Sequence, residues 1–132
     1  MKIEAHLKNL KESLEVIEES IEKGLIERQR TIGFHTSTAA AEMLEILLHK
    51  LNLLDTSIII KHEWLKSKNT IEEKLPFDFP KKKDVLDLIL KIEEKRNALC
   101  YGKPQEKDVI QEIINDFNKL KKIFKEAGIN EL

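Results

Sequence analysis

Cysteine is nearly absent from the sequence, because Cys100 is the only one. A single cysteine excludes an intrachain disulfide and a zinc site built from several thiolates, and it is typical of a reducing compartment. Glycine and proline are also scarce, with four and three residues, which excludes collagen-like and low-complexity chains. No apolar run approaches the ~18 residues of a membrane span, and no secretory leader pattern opens the chain. We therefore expect a cytoplasmic protein that has no membrane partner.

Charge of a single sign is lacking as well. The chain has 23 basic and 24 acidic residues, for a net charge of −1, which argues against a wholly basic nucleic-acid binder but allows a local patch. The 41% hydrophobic and 36% charged residues fit a folded, helix-rich chain, and 132 residues fit one domain covering 1–132. Abundant Lys, Glu and Ile resemble the composition of proteins from thermophiles.

Apolar residues recur at spacings of three and four along most of the chain, which is the pattern of amphipathic helices. The predicted fold class is all-α, an antiparallel bundle of four long helices plus one short helix. The predicted long helices cover residues 2–22, 25–51, 81–101 and 104–127. The short helix is predicted from an Asp55 cap to Lys66, followed by a connector over 67–80. Phe77 and Phe79 of this connector are expected to cover the edge of the core.

The spacing of the histidines does not predict a metal site. His49 and His62 are separated in sequence and show no ligand-type partner three or four residues further on, and His62-Glu63 lacks the second His of the zinc pattern HExxH. His35 lies in a polar insert within the second helix, where a packed histidine is commoner than a catalytic one. We therefore predict no metal and no cofactor.

The stretch 93–104 combines hydrogen-bonding and apolar side chains and ends in a Gly-Lys-Pro breaker. Its candidate site residues are Arg96, Asn97, Tyr101 and Lys103. For Arg96, an ion pair with a neighbouring glutamate and a ligand-binding role both remain open. The run of lysines at 81–83 has two open interpretations as well, a phosphate contact and a plain solvated helix start.

Two segments suggest a family. Residues 32–44, which include Phe34-His35 and Ala39-Ala40, resemble the "FH-x-x-Q-A-A-E-K-x-L" second helix of HEPN domains, the higher-eukaryote and prokaryote nucleotide-binding helical bundles. Arg96-Asn97 is similar to the start of their R-N-x-x-x-H motif, and the order of helices is similar over nearly the whole chain. The resemblance implies a homodimer that cleaves RNA without metal, with the motif Arg and His meeting at the dimer axis. It also implies a toxin–antitoxin pair with a nucleotidyltransferase partner.

The motif histidine is missing, because Tyr101 stands five residues after Arg96 and no histidine follows. A tyrosine with a pKa near ~10 is a poor base at neutral pH. The expected function is therefore an RNA-binding or nucleotide-binding module with degenerate or absent RNase activity. In that role Arg96 and Asn97 are the tentative catalytic pair, and Arg96, Asn97, Tyr101 and Lys103 bind the ligand.

The alternative is a non-catalytic helical bundle that binds another protein. A groove that collects the four candidate residues favours the first function, whereas a flat apolar face with Arg96 held in ion pairs favours the second. The continuous apolar seam of helix 1 predicts a homodimer, since a partner would have to cover it.

Overall fold

The computed structural model describes residues 1–132, and the chain is entirely helical with no strand. The all-α prediction is confirmed. Five α-helices form, and a short 3₁₀ helix over His62–Lys66 precedes the third. Their bounds are α1 Ile3–Lys23, α2 Gln29–Lys50, α3 Lys68–Lys74, α4 Lys82–Tyr101 and α5 Lys107–Glu126. None of the helices combines the length and the apolarity needed to cross a membrane.

Helix α2 is the centre of the packing, since it contacts α1, α4 and α5. Its apolar residues are buried almost all round, as expected for a helix enclosed by others. Ala39 and Ala40 are fully packed and keep the helix narrow. At Gly33 an added Cβ would lie 2.9 Å from Leu99 Cβ, so the backbone of α2 approaches α4 closely there.

The apolar seam of α1 is covered within the same chain. Leu10 and Ile17 are buried, and Leu7 and Leu14 pack against the core. Helix α1 contacts α2 along its length, so α2 covers the apolar seam on which the homodimer prediction rests. That reason for a homodimer is therefore removed, and only Ile21 of the seam stays substantially exposed.

The segment between α2 and α4 differs from the prediction. No helix starts at Asp55, whose carboxylate accepts a bond from the Ser57 backbone N–H in a local turn. The Ile60 N–H donates to the carboxylate of Glu45 on α2, so it is not free for an intrahelical bond. A helix forms instead in the predicted connector, where Ser67 caps α3 by accepting from the Thr70 N–H at 3.2 Å.

The rest of the connector covers the core edge, as predicted. Phe79 is buried and Phe77 packs against the core. The Lys82 ammonium donates to the carbonyls of Leu75 and Phe77, at 3.1 and 2.6 Å. Lys82 therefore ties the start of α4 to the connector. Because its ammonium bonds two backbone carbonyls, neither phosphate contact nor plain solvation describes Lys82.

Helix α5 begins three residues later than expected. Pro104 lies in the loop before Lys107, and the neighbouring Gln105 N–H is tied to the side chain of Gln29 at the start of α2. Gly128, at a φ of +117°, ends the helix as predicted.

Candidate functional site

Glu93 on α4 is a buried carboxylate with two side-chain donors. Ser37 Oγ on α2 donates to Glu93 Oε2 at 2.6 Å, and His62 Nδ1 of the 3₁₀ helix lies 3.3 Å from the same oxygen. Burial alone would raise the pKa of Glu93, but the bonds from His62 and Ser37, with the charges of His62 and Arg96, lower it below its ordinary value. Glu93 is therefore an ionised, fixed group at the meeting point of three chain segments.

Arg96 lies one turn further along α4, with its side chain only 13% exposed. Its Nη1 is 3.7 Å from Glu93 Oε1, and its guanidinium carbon lies 5.9 Å from the Phe34 ring centre and 5.7 Å from that of Tyr101. Arg96 Nε is buried without a hydrogen-bond partner. The contact with Glu93 therefore fits the ion-pair interpretation of Arg96. The Nε–H of Arg96 is left without an acceptor.

A groove of about 550 Å³ lies beside Arg96, between the start of α2 and the end of α4. We call it the Arg30 groove, and it is lined by Glu27, Arg28, Arg30, Thr31, Phe34, His35, Cys100 and Tyr101. Phe34 is 46% exposed and Tyr101 is 73% exposed, so both rings are open to a ligand. The lining contains two arginines and one glutamate, so its charge is positive. The rings of Phe34 and Tyr101, which line the groove, also pack against the guanidinium of Arg96.

The four residues predicted for a site do not converge within one chain. Arg96 and Tyr101 are in contact, and Tyr101 lines the Arg30 groove. Asn97 instead lines a separate depression with Leu65 and Lys66. Lys103 is exposed outside the groove, and its backbone carbonyl accepts a bond from Gln105.

Sequence reasoning missed Arg28 and Arg30, and it took His35 as a packed residue. No motif marks these positions, because they reach α4 only through the crossing of the two helices. His35 lines the groove while its Nδ1 lies 3.3 Å from Ser13 Oγ on α1. Burial lowers the pKa of His35, with Glu12 acting weakly in the opposite direction, so its imidazole is neutral at pH 7 and can accept a proton.

Cys100 also lines the groove, and its thiol lies 3.5 Å from the carbonyl of Arg30. Burial raises the pKa of Cys100, although Arg96 and Arg30 pull it down and Glu93 adds to the rise. A thiol with a raised pKa is a weak nucleophile at neutral pH. The arrangement therefore favours a packing role for Cys100.

A second polar cluster lies on the other side of α2, and we call it the His6 cluster. His6 of α1 meets Glu45 and His49 of α2, and all three are buried. The prediction of no metal rests on the residues that follow His49, whereas Glu45 lies one turn before His49 on the same helix. That spacing was a visible signal, whereas His6 is brought in only by the packing of α1.

Comparisons of the chain with protein-family models, curated proteins and solved structures find no match. The geometry of the two polar sites is therefore the basis for a functional proposal.

Proposed function

We propose that this protein is a HEPN-like helical module that binds single-stranded RNA or a nucleotide in the Arg30 groove, without efficient cleavage. The observation that carries the proposal is the composition of this groove, whose lining combines Arg28 and Arg30 with the exposed ring of Tyr101. A guanidinium binds phosphate oxygens through two parallel hydrogen bonds. Nucleic-acid bases stack on exposed aromatic rings, at about 1–3 kcal/mol per base. One groove therefore offers both contacts that a single-stranded ligand needs.

The order of contacts supports an antiparallel bundle, as a HEPN-like fold requires. His6 meets Glu42 while Ser13 meets His35, so α1 and α2 run in opposite directions. Ser37 meets Glu93 while Gly33 lies against Leu99, so α2 and α4 also run in opposite directions. In the proposed bundle α1, α2, α4 and α5 are the four long helices, and α3 is an additional short helix within the predicted connector.

A homodimer belongs to the proposal through a different surface from the α1 seam. Ile26, Phe34 and Tyr101 are large exposed apolar residues at or next to the groove. Such a patch is typical of an interface, and a two-fold contact here would bring two Arg30 grooves together. Sedimentation equilibrium tests this step, since a monomer at micromolar concentration would contradict it. The nucleotidyltransferase partner stays a prediction of the family resemblance.

Cleavage is expected to be weak because Tyr101 replaces the motif histidine. The neutral His35 is the base within the groove that could take a proton from a ribose 2′-hydroxyl. Any residual RNase activity should therefore disappear in His35→Ala and persist in chelator.

The test of binding is fluorescence anisotropy with labelled single-stranded RNA and, separately, with labelled ATP. Arg30→Ala should weaken binding by roughly 10–150-fold, since a charge-assisted hydrogen bond contributes roughly 1.5–3 kcal/mol. Tyr101→Ala should weaken it while Tyr101→Phe retains it, because stacking needs the ring and not the hydroxyl. Lys119→Ala on α5 removes the same charge outside the groove and should change affinity little.

Equal affinities for wild type, Arg30→Ala and Tyr101→Ala would place binding elsewhere and end the proposal. Absence of binding to both ligands would favour the alternative function, a bundle that binds another protein.

A further inference from the structure

The His6 cluster brings together three buried side-chain atoms of metal-ligand type. His6, Glu45 and His49 are 1%, 3% and 7% exposed. Their ligand atoms lie within 4.8 Å of one another. His6 Nε2, Glu45 Oε2 and His49 Nε2 are each buried without a hydrogen-bond partner. Because buried polar atoms nearly always have partners, three unpaired buried atoms this close together need an explanation.

The second polar atom of each of these side chains contacts a neighbouring residue, and this contact fixes the orientation of the side chain. His6 Nδ1 contacts Glu42 Oε2 at 2.5 Å, and the Ile60 N–H donates to Glu45 Oε1. His49 Nδ1 lies 2.9 Å from the carbonyl of Leu54, which can only accept, so the proton is on Nδ1 and the lone pair of Nε2 is free. Histidine ligands of metals are oriented in this way, by a carboxylate or a carbonyl on the far nitrogen.

An ion pair without metal explains only part of the cluster. A protonated His6 would bond Glu42 and approach Glu45, whose Oε2 lies 2.7 Å from His6 Nε2 but outside hydrogen-bond alignment. His49 Nε2 would still be buried and unpaired. A cation bound at the centre satisfies all three atoms and balances the two carboxylates.

We propose that His6 Nε2, Glu45 Oε2 and His49 Nε2 bind one divalent transition-metal ion, with Zn²⁺ as the ion best suited to two imidazoles and a carboxylate. Ligand atoms of a tetrahedral zinc lie roughly 3.3 Å apart for bonds of ~2.0–2.1 Å, so binding needs side-chain shifts of about 1 Å. Three protein ligands leave a fourth position for water.

The site would fasten α1 to α2 and fix the segment after α2. His6 belongs to α1, the other two ligands belong to α2, and their supporting partners Leu54 and Ile60 lie in the irregular segment. The role is structural and independent of the Arg30 groove, which lies beside α4.

The test uses the full chain, stripped with chelator and then titrated with ZnCl₂ by isothermal calorimetry, with thermal unfolding measured alongside. One ion per chain should bind and raise the unfolding temperature, because a ligand of the folded state stabilises it by mass action. Glu45→Gln and His49→Gln should each lose the stoichiometric binding and the thermal shift. Glu22→Gln removes an exposed carboxylate elsewhere on α1 and should retain both.

CoCl₂ provides a readout that does not depend on the variants folding. Wild-type protein should develop the visible absorption of tetrahedral Co²⁺ with nitrogen and oxygen ligands, and Zn²⁺ should displace it. No binding by the stripped wild type, or equal binding in Glu45→Gln, His49→Gln and Glu22→Gln, would overturn the proposal.

Discussion

Ser37 and Glu93 share a 2.6 Å hydrogen bond although they are 56 residues apart. The bond links α2 to α4 at the point where His62 also reaches the carboxylate. It fixes the ionised side chain next to Arg96, so the polar end of the candidate site depends on it.

Replacing Ser37 should remove part of the stability that the ionised Glu93 contributes. Ser37→Ala should cost about 1.5–3 kcal/mol at pH 7, because a buried charge loses a donor. The folded pKa of Glu93 is below its ordinary 4.5, so the stability it contributes is complete above pH 4.5 and is lost as pH falls through the folded pKa. The difference between wild type and Ser37→Ala should therefore shrink at acidic pH, as measured by urea unfolding at pH 7 and below pH 4.

Ser20→Ala is the matched control for this prediction, since Ser20 is also buried and lies on α1 far from a carboxylate network. Its effect should be the same at both pH values. A pH-independent loss in Ser37→Ala would contradict the role assigned to the bond.

The planar shape of Arg96 should matter as well as its charge. Arg96→Ala should lower the free energy of unfolding by about 2 kcal/mol, because it removes the cation beside Glu93 and the surface on which Phe34 and Tyr101 pack. Arg96→Lys should restore roughly half of this, since lysine keeps the charge but not the plane. Chemical unfolding of the three proteins checks the order, and a lysine variant as stable as wild type would reduce the role of Arg96 to charge alone.

The close approach of α2 and α4 predicts that Gly33→Ala is destabilising. Alanine favours helix by up to ~1 kcal/mol over glycine, but the new Cβ would lie 2.9 Å from Leu99 Cβ, an atom that cannot move without its backbone. Overpacking of this kind costs about 1–3 kcal/mol, so we expect a net loss of roughly 1 kcal/mol. The exposed Asn118→Ala gains propensity without a clash and should be neutral or slightly stabilising. A Gly33→Ala protein more stable than wild type would show that the helices can separate at little cost.

Cys100 should react slowly with iodoacetamide at neutral pH. Burial raises its pKa and reduces the thiolate fraction, so alkylation should be slower in the folded chain than in urea. Arg96 lowers this pKa, and Arg96→Ala should therefore slow the reaction several-fold further when followed by mass spectrometry. Lys103→Ala, exposed outside the groove, should leave the rate unchanged. A faster reaction in Arg96→Ala would mean that access, and not ionisation, controls the thiol.

The sequence predicted those parts of the fold that depend on local periodicity. Helices α1 and α5 follow from their apolar spacing, and the bounds of α1 differ by one residue from the prediction. The short helix expected from Asp55 to Lys66 forms only over its last turn, as the 3₁₀ helix His62–Lys66, because Glu45 takes the Ile60 N–H across 15 residues, an interaction that no local pattern records.

For the candidate site, too, the sequence predicts residues within one helix and not those that helix packing brings together. Arg96 and Tyr101 belong to one predicted set on one helix, but their spacing of five residues does not by itself predict their contact. Arg30 and His35 reach the groove only because Gly33 lets α2 approach α4, and His6 joins Glu45 only because α1 packs on α2. Such groups are visible once helix crossings are known.

The enclosure of α2 has a consequence for synthesis of the chain on the ribosome. Two of the helices that cover it, α4 and α5, are made after it, and α5 ends at Glu126. At a translation rate of ~5–20 residues per second, α5 is complete about 4–15 s after the last residue of α2 is added. During that interval α1 is the only long helix already available to shield it, so the nascent chain depends on the α1–α2 pair to avoid aggregation.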